Sequence, residues 1–404
     1  MRRISIDQLR TGDRIGRDIC TNPAEPALLR AGTHVSDGYR QSLRRAGIAT
    51  VWIDDGLSRG IEPLELLSEK TKHLATVALR DAFRDIAEAL VDRRGMTADT
   101  AQQVTKVADL ICEDVTANTD SALALNDLAN AEGYTAKHSL AVTALGLSLG
   151  LRVMRRYGWI DAQGARRFDG IDQQLSILGV GLLLLDIGKL AVPSEIFHKR
   201  GPLTADEWMA MRAHPALGEE ILQQDSGISP LSRAVVLSHH ERWDGAGYPS
   251  CTAGADIHQF ARIAAVADVF DALTSDRPHC RALPVHEGYK RIIRDSGLAF
   301  DPEVVEVFRW SVAAYPPGTS VLLSDGRWGI VKEVRQGTAA RPVVRIVMDA
   351  ASVLIHHEEL DLERAPGISI VSTAFEPSEA APASTGPDVE QTDDARVRRS
   401  LEPL

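Results

Sequence analysis

Nine consecutive apolar residues, Ile177 to Leu185, run straight into Asp186, and Lys189 follows one helical turn later. A run this apolar must be buried. A carboxylate at its end then loses several kcal/mol of hydration unless a cation or hydrogen-bond donors replace the water. The same conflict recurs at Asp268, inside RIAAVADVFDAL, and at His138, which shares a helical stripe with Val142, Leu145 and Leu149. The chain has only 12 histidines, yet His239 and His240 are adjacent in HHERWDGAGYP and His214 precedes Pro215 in MRAHPALGEEIL. Imidazoles and carboxylates set on apolar faces form a ligand set for divalent iron, manganese or zinc. Each residue alone would be read as a satisfied core histidine or a helix-capping aspartate. An ordinary core has no need of all six.

Around this centre the texture of the chain changes several times. Helical periodicity from about residue 130 to 313 defines the core domain. Residues 66–129 carry long amphipathic patterns, LRDAFRDIAEALV and VTKVADLICEDV, expected to form connecting helices that can pair two copies of the chain. Residues 1–65 mix short alternating runs such as RISI and ATVWID with one helical stretch near SDGYRQSLRRAG, a small α+β module. After Tyr315-Pro316-Pro317-Gly318 the pattern turns strand-like, and residues 314–372 read as a small β-rich module. The stretch 373–404 holds prolines among acidic and small residues and is expected to be a disordered acidic tail. The expected fold class is mainly α.

Composition removes several alternatives. With 45 Lys+Arg against 56 Asp+Glu the formal charge is -11, which argues against binding DNA through its phosphate backbone. The apolar run is far shorter than the ~20 residues a membrane span requires, and the N-terminal residues lack the continuous apolar stretch of a secretory signal. Cys20, Cys112, Cys251 and Cys280 are isolated, so neither a disulfide framework nor a thiolate metal site is indicated. A cytoplasmic protein without a membrane span is expected.

Segment 130–302 resembles the HD-GYP family, metal-dependent phosphodiesterases that hydrolyse cyclic di-GMP within the HD phosphohydrolase superfamily. The matching stretches are YTAKHS, LLDIGKLAVPSEIFHKRGPLTADEW, AHPALGEEIL, HHERWDGAGYP, RIAAVADVFDALTSDRP and FDPEVVEVF. The module at RRISIDQLRTGDRI is similar to a domain often found before HD-GYP, and YPPGTSVLLSDGRWGIV resembles an extension that often follows it. The resemblance implies an all-helical HD-type phosphohydrolase core in which His138, Asp186, His214, His239, His240 and Asp268 bind one or two divalent ions, iron or manganese. Asp186 would bridge them. Asp186 and Lys189 would be catalytic, with Lys189 on the scissile phosphate. The Gly247-Tyr248-Pro249 turn, held by Asp244 and Gly245, would shape the substrate groove, and Gly245 and Gly247 would supply backbone conformations closed to other residues. Arg277 and Arg281 would help bind cyclic di-GMP. A homodimer and signalling-protein partners are further expectations.

Three departures bear on activity. The histidine of the HD pair is Leu185, so one ion loses a nitrogen ligand and keeps only His138, Asp186 and Asp268. Gly133 stands where trimetal members carry an acidic ligand, which argues against a third ion. In RPHCR, where the family has RPYR, His279 and Cys280 replace Tyr and Arg, leaving Arg281 as a substitute. Three readings follow. One is a working phosphodiesterase, in which a metal-activated water attacks phosphorus in line with the departing 3′ oxygen. Another is a catalytically impaired sensor or interaction module. The third is an HD-type hydrolase acting on another nucleotide.

Overall fold

The computed structural model describes residues 1–19, 27–46, 48, 50–63, 65–91, 96–118, 134–199, 201–223, 227–275, 282–351 and 353–373. The expected tail beyond Thr373, Gly133, and both Arg277 and Arg281 lie outside the described residues. In chain order the elements begin with β1 (Arg2–Ser5), α1 (Asp37–Arg45) and β2 (Thr50–Ile53). Helices α2 (Glu69–Val91), α3 (Ala98–Ala117) and α4 (Tyr134–Tyr157) follow, then a short hairpin of β3 (Trp159–Ile160) and β4 (Arg166–Arg167). Next come α5 (Ile171–Leu183), α6 (Ser194–Phe197), α7 (Ala205–Arg212), α8 (His214–Gln223) and α9 (Pro230–Ser238). Helices α10 (Gln259–Thr274), α11 (Val285–Arg294) and α12 (Pro302–Ser311) complete the helical part. The chain then forms β5 (Ser320–Leu323), β6 (Trp328–Glu333), β7 (Val343–Met348), β8 (Leu354–Asp361) and β9 (Ile370–Ser372). The fold is mainly α, with a small strand module after the helices.

Among the described residues these elements gather into two compact units, one from residues 1–19, 27–63 and 313–373, the other from residues 65–312. In the first, β1 and β2 pair antiparallel, and β5 to β9 form an antiparallel sheet in the order β8-β7-β6-β5-β9. Sequence periodicity separates the stretches 1–65 and 314–372, whereas in space they share a core. Ile61 packs with Ile330 and Val347, the Arg3 N–H donates to the Gly318 carbonyl at 3.1 Å, and the Arg345 guanidinium donates to the Arg59 carbonyl. An alternating pattern shows which face of a strand is apolar but not which distant segment will cover it.

The second unit is built around α4, α5 and α10. From Ile177 onward α5 is apolar on every side, as a helix surrounded by others must be. By length and composition Ile171–Ala191 would suffice to cross a membrane, yet of its 18-residue window of mean hydropathy 1.6, 78% is buried inside the protein. Much of the apolar surface of α2 and α3 is buried within the unit. Ala75, Leu79, Ala82 and Ile86 of α2, and Val104, Ala108, Ile111 and Val115 of α3, are buried where these helices pack on each other and on α4, with α3 also on α5.

Helix ends follow from local chemistry. Thr204 and Glu207 form a reciprocal capping box at α7, and Asp301 caps α12 just before Pro302. Asp301 also accepts from Arg262 of α10 at 2.5 Å, which fastens α12 to the central helix.

Asp186 and Lys189 flank the turn after α5, and Gly188 sets this turn flush against α8. A Cβ at Gly188 would lie 1.9 Å from the His214 carbonyl oxygen and 2.5 Å from the Gly218 nitrogen. Backbone on both sides leaves no flexible side chain to yield. Gly188→Ala is therefore expected to destabilise the helical unit by at least ~2 kcal/mol in urea unfolding. A change below about 0.5 kcal/mol, the scatter of ordinary surface substitutions, would contradict this close approach.

Candidate metal centre

Four side chains from three separate segments converge inside the helical unit. Asp186 follows α5, His214 opens α8, and His239 and His240 follow α9. One ligand atom from each lies within 4.8 Å of the others, which suffices to hold a single ion. The backbone fixes how two of the imidazoles face. His214 Nδ1 lies 2.8 Å from the Met211 carbonyl and His239 Nδ1 lies 2.8 Å from the Val236 carbonyl. A carbonyl oxygen only accepts, so both Nδ1 atoms carry a proton, and in the neutral rings that bind a metal both Nε2 atoms present lone pairs. Those two Nε2 atoms face each other at 3.4 Å, with Asp186 Oδ1 at 3.4 Å from His214 and 4.0 Å from His239. His240 Nε2 is buried without a hydrogen-bond partner. Facing lone pairs, an orphaned nitrogen and a carboxylate oxygen fit a divalent cation, and the carbonyl anchors are those expected of ligating histidines.

Electrostatics agree with this donor set. Burial drives His239 down to about 4, and His214 beside it adds to the effect. Burial, with His239 next, also holds His240 well below the usual imidazole range. Both are neutral near pH 7, as metal ligands must be. Burial opposes the charge of Asp186, but Lys189 and then His214 outweigh it and keep the carboxyl well below its ordinary range.

The other expected ligands are arranged differently. His138 is buried in α4 with both ring nitrogens on carboxylates, Nε2 at 2.9 Å from Asp268 and Nδ1 at 2.7 Å from Asp271. Burial lowers its affinity for a proton, but the hydrogen bonds to Asp268 and Asp271 raise it to about 9. Asp268 is correspondingly lowered against the effect of burial by its bond to His138. His138 Nε2 stands 3.6 Å from Asp186 Oδ2, the oxygen that Lys189 holds at 2.8 Å. Leu185 is fully buried and offers no donor at all.

The GYP turn closes one side of the cluster. Tyr248 is 9% exposed, its ring centroid lies 4.8 Å from that of His240, and its N–H donates to the His240 carbonyl. Gly245 has φ +77°, as its expected role requires. Gly247 does not have a positive φ. Its constraint is space, since a Cβ there would lie 2.4 Å from the Arg242 nitrogen and 2.6 Å from the His240 oxygen. Asp244 pairs with Arg242 at 2.6 Å and accepts from Ala246 N–H, and Pro249 follows through a cis peptide.

Two residues not singled out from sequence complete the surroundings. Asp271 orients His138 and also accepts from the Ser275 hydroxyl at 2.7 Å. Its signal was present, a second carboxylate three residues after Asp268 on the same apolar helix. Glu241 is 3% exposed and accepts from Ser250 N–H and Thr252 N–H at 2.7 and 3.1 Å, drawing the GYP turn back onto the paired histidines.

A helical core that gathers imidazoles and a carboxylate into one buried cluster defines the HD class of metal-binding domains. A family model described as an HD domain matches residues 165–304, and one described as a KOW domain associated with the HD domain matches residues 320–381. A cyclic di-GMP phosphodiesterase of Pseudomonas aeruginosa is 32% identical over 406 residues, covering 94% of this chain and 93% of that protein. A cyclic di-GMP phosphodiesterase of Thermotoga maritima is 37% identical over 39% of this chain and 43% of its own. A 3′3′-cGAMP-specific phosphodiesterase of Vibrio cholerae is 29% identical over 70% of this chain and 54% of its own. The chain belongs to the HD-GYP family.

The doubly bonded His138 predicts a pH dependence of definite sign in metal-stripped protein. Its proton affinity is raised on folding from 6.5 to about 9, so its contribution is fully present below pH 6.5 and is lost as pH rises through 9. His138→Gln should remove that slope, on the order of 3 kcal/mol across the window, when urea unfolding is measured with chelator at both limits. An unchanged slope would mean that His138 is not held as a cation between the two carboxylates.

Proposed function

We propose that this chain is a metal-dependent phosphodiesterase that opens the phosphodiester of cyclic di-GMP, with one divalent ion, iron or manganese, held by Asp186, His214, His239 and His240. The facing Nε2 atoms of His214 and His239 at 3.4 Å carry this reading, because two imidazole nitrogens turned toward each other and toward Asp186 in a buried site are well placed to share a cation. When bound, such an ion supplies a Lewis acid for a phosphoryl oxygen and acidifies a water toward neutral pH. Lys189 neutralises Asp186 in the resting site and lies beside the cluster, where its ammonium can turn to an equatorial phosphoryl oxygen as charge develops there. The Tyr248 ring braces His240, and Glu241 keeps the GYP turn in register with it. Cys251 is an exposed free thiol, which suits work in a reducing, cytosolic compartment.

Two observations support one ion rather than two. Leu185 stands where a second ion would take a nitrogen ligand, and His138 spends both nitrogens on Asp268 and Asp271. The same substitution favours a second reading, a sensor that binds cyclic di-GMP without turning it over.

Turnover of cyclic di-GMP by the metal-loaded protein, compared with Lys189→Ala, separates the two. In an enzyme the loss falls mainly on kcat, because the contact strengthens in the transition state, whereas in a sensor it falls on the dissociation constant alone. A variant that binds and turns over like the parent would remove Lys189 from the mechanism. Leu185→His is expected to raise turnover at least ~10-fold, about 1.4 kcal/mol of barrier, by returning a nitrogen donor beside Asp186. An unchanged rate with a second ion bound would show that Leu185 does not limit the reaction.

A further inference from the structure

Arg212 is the last residue of α7, two positions before His214, and its guanidinium carbon lies 4.4 Å from the centroid of the Tyr248 ring. That ring in turn rests on His240, so the arginine stands one aromatic side chain away from the metal ligands. Its neighbours are well fixed. His214 Nδ1 is anchored on the carbonyl of the preceding residue, Met211, and the ring of Tyr248 is nearly buried.

Arg212 is half-buried, yet among the described residues no carboxylate pairs with it and no carbonyl accepts from it. Other charges around the cluster are matched. Lys189 serves Asp186, Arg242 serves Asp244, and Asp268 is engaged by His138. A guanidinium has five N–H donors, and stacking on an aromatic face leaves its edge free to hydrogen-bond. A half-buried guanidinium with unspent donors beside this cluster is suited to an anion.

We propose that Arg212 is a specificity residue that grips a phosphate of the cyclic dinucleotide other than the one being cleaved. This inference rests on the phosphodiesterase reading above. Cyclic di-GMP has two phosphodiesters. The metal ligands and Lys189 attend to the one that reacts, and the second brings a negative charge that requires its own partner. The stack on Tyr248 holds that partner at a set distance from His240, so Arg212 selects substrates with two phosphates spaced to span both positions.

The test compares cyclic di-GMP with bis(p-nitrophenyl) phosphate, a diester with a single phosphate, using the metal-loaded full chain. Arg212→Ala should lower the ratio of kcat/KM for cyclic di-GMP over that for the single-phosphate diester at least ~10-fold. The change should appear chiefly in KM, Arg212→Lys should recover part of it, and metal content should match the parent. An equal loss on both substrates, or a loss of metal, would overturn the proposal and make Arg212 a brace for Tyr248 and His240. No change on either would overturn it too. If the parent binds cyclic di-GMP by calorimetry without turning it over, a weaker dissociation constant in Arg212→Ala sustains the anion site while the enzymatic reading fails. A parent that neither binds nor cleaves cyclic di-GMP overturns both.

Discussion

The structure depends on how a buried carboxylate is kept charged. Asp186 is 4% exposed at the end of the most apolar run in the chain, where an unpaired carboxylate would be untenable. Its two oxygens divide the work. Oδ1 looks toward His214 and His239, while Oδ2 is bonded by Lys189 and approached by His138. The surrounding packing serves that arrangement. Gly188 lets the turn lie on α8, carbonyls at the ends of α7 and α9 set the imidazole tautomers, and Glu241 pulls the GYP turn over His240.

The ligands that sequence reads as one set of six fall into two groups of different chemistry. Asp186, His214, His239 and His240 converge with lone pairs turned inward and few bonds among themselves. His138, Asp268 and Asp271 bond to one another and leave His138 no free nitrogen. An imidazole whose proton affinity is raised offsets the negative charge of the two carboxylates beside it.

Much of this was legible in the sequence because the residues involved break a rule of composition. Charges inside GVGLLLLD and RIAAVADVFD, and paired histidines before a glycine-rich turn, stand out against apolar helices whatever their partners. The helical core and the strand-rich end were equally plain from periodicity. What sequence could not provide was pairing in space. Nothing in the spacing shows that Asp271 takes the Nδ1 of His138, that Arg212 lies over Tyr248, or that Ile61 shares a core with Ile330 and Val347. Gly247 illustrates the same limit. Its need for glycine was visible, but the reason is the backbone of Arg242 folded against it rather than a left-handed φ.

The central claim is that Leu185 leaves this HD domain with a single metal ion. Anomalous diffraction at the metal edge, on crystals of the protein loaded with iron or manganese, tests it most directly. The account predicts one peak per chain, ligated by His214, His239, His240 and one oxygen of Asp186, with His138 still bonded to Asp268 and Asp271. Two peaks bridged by Asp186, the second ligated by His138 and Asp268, would contradict it.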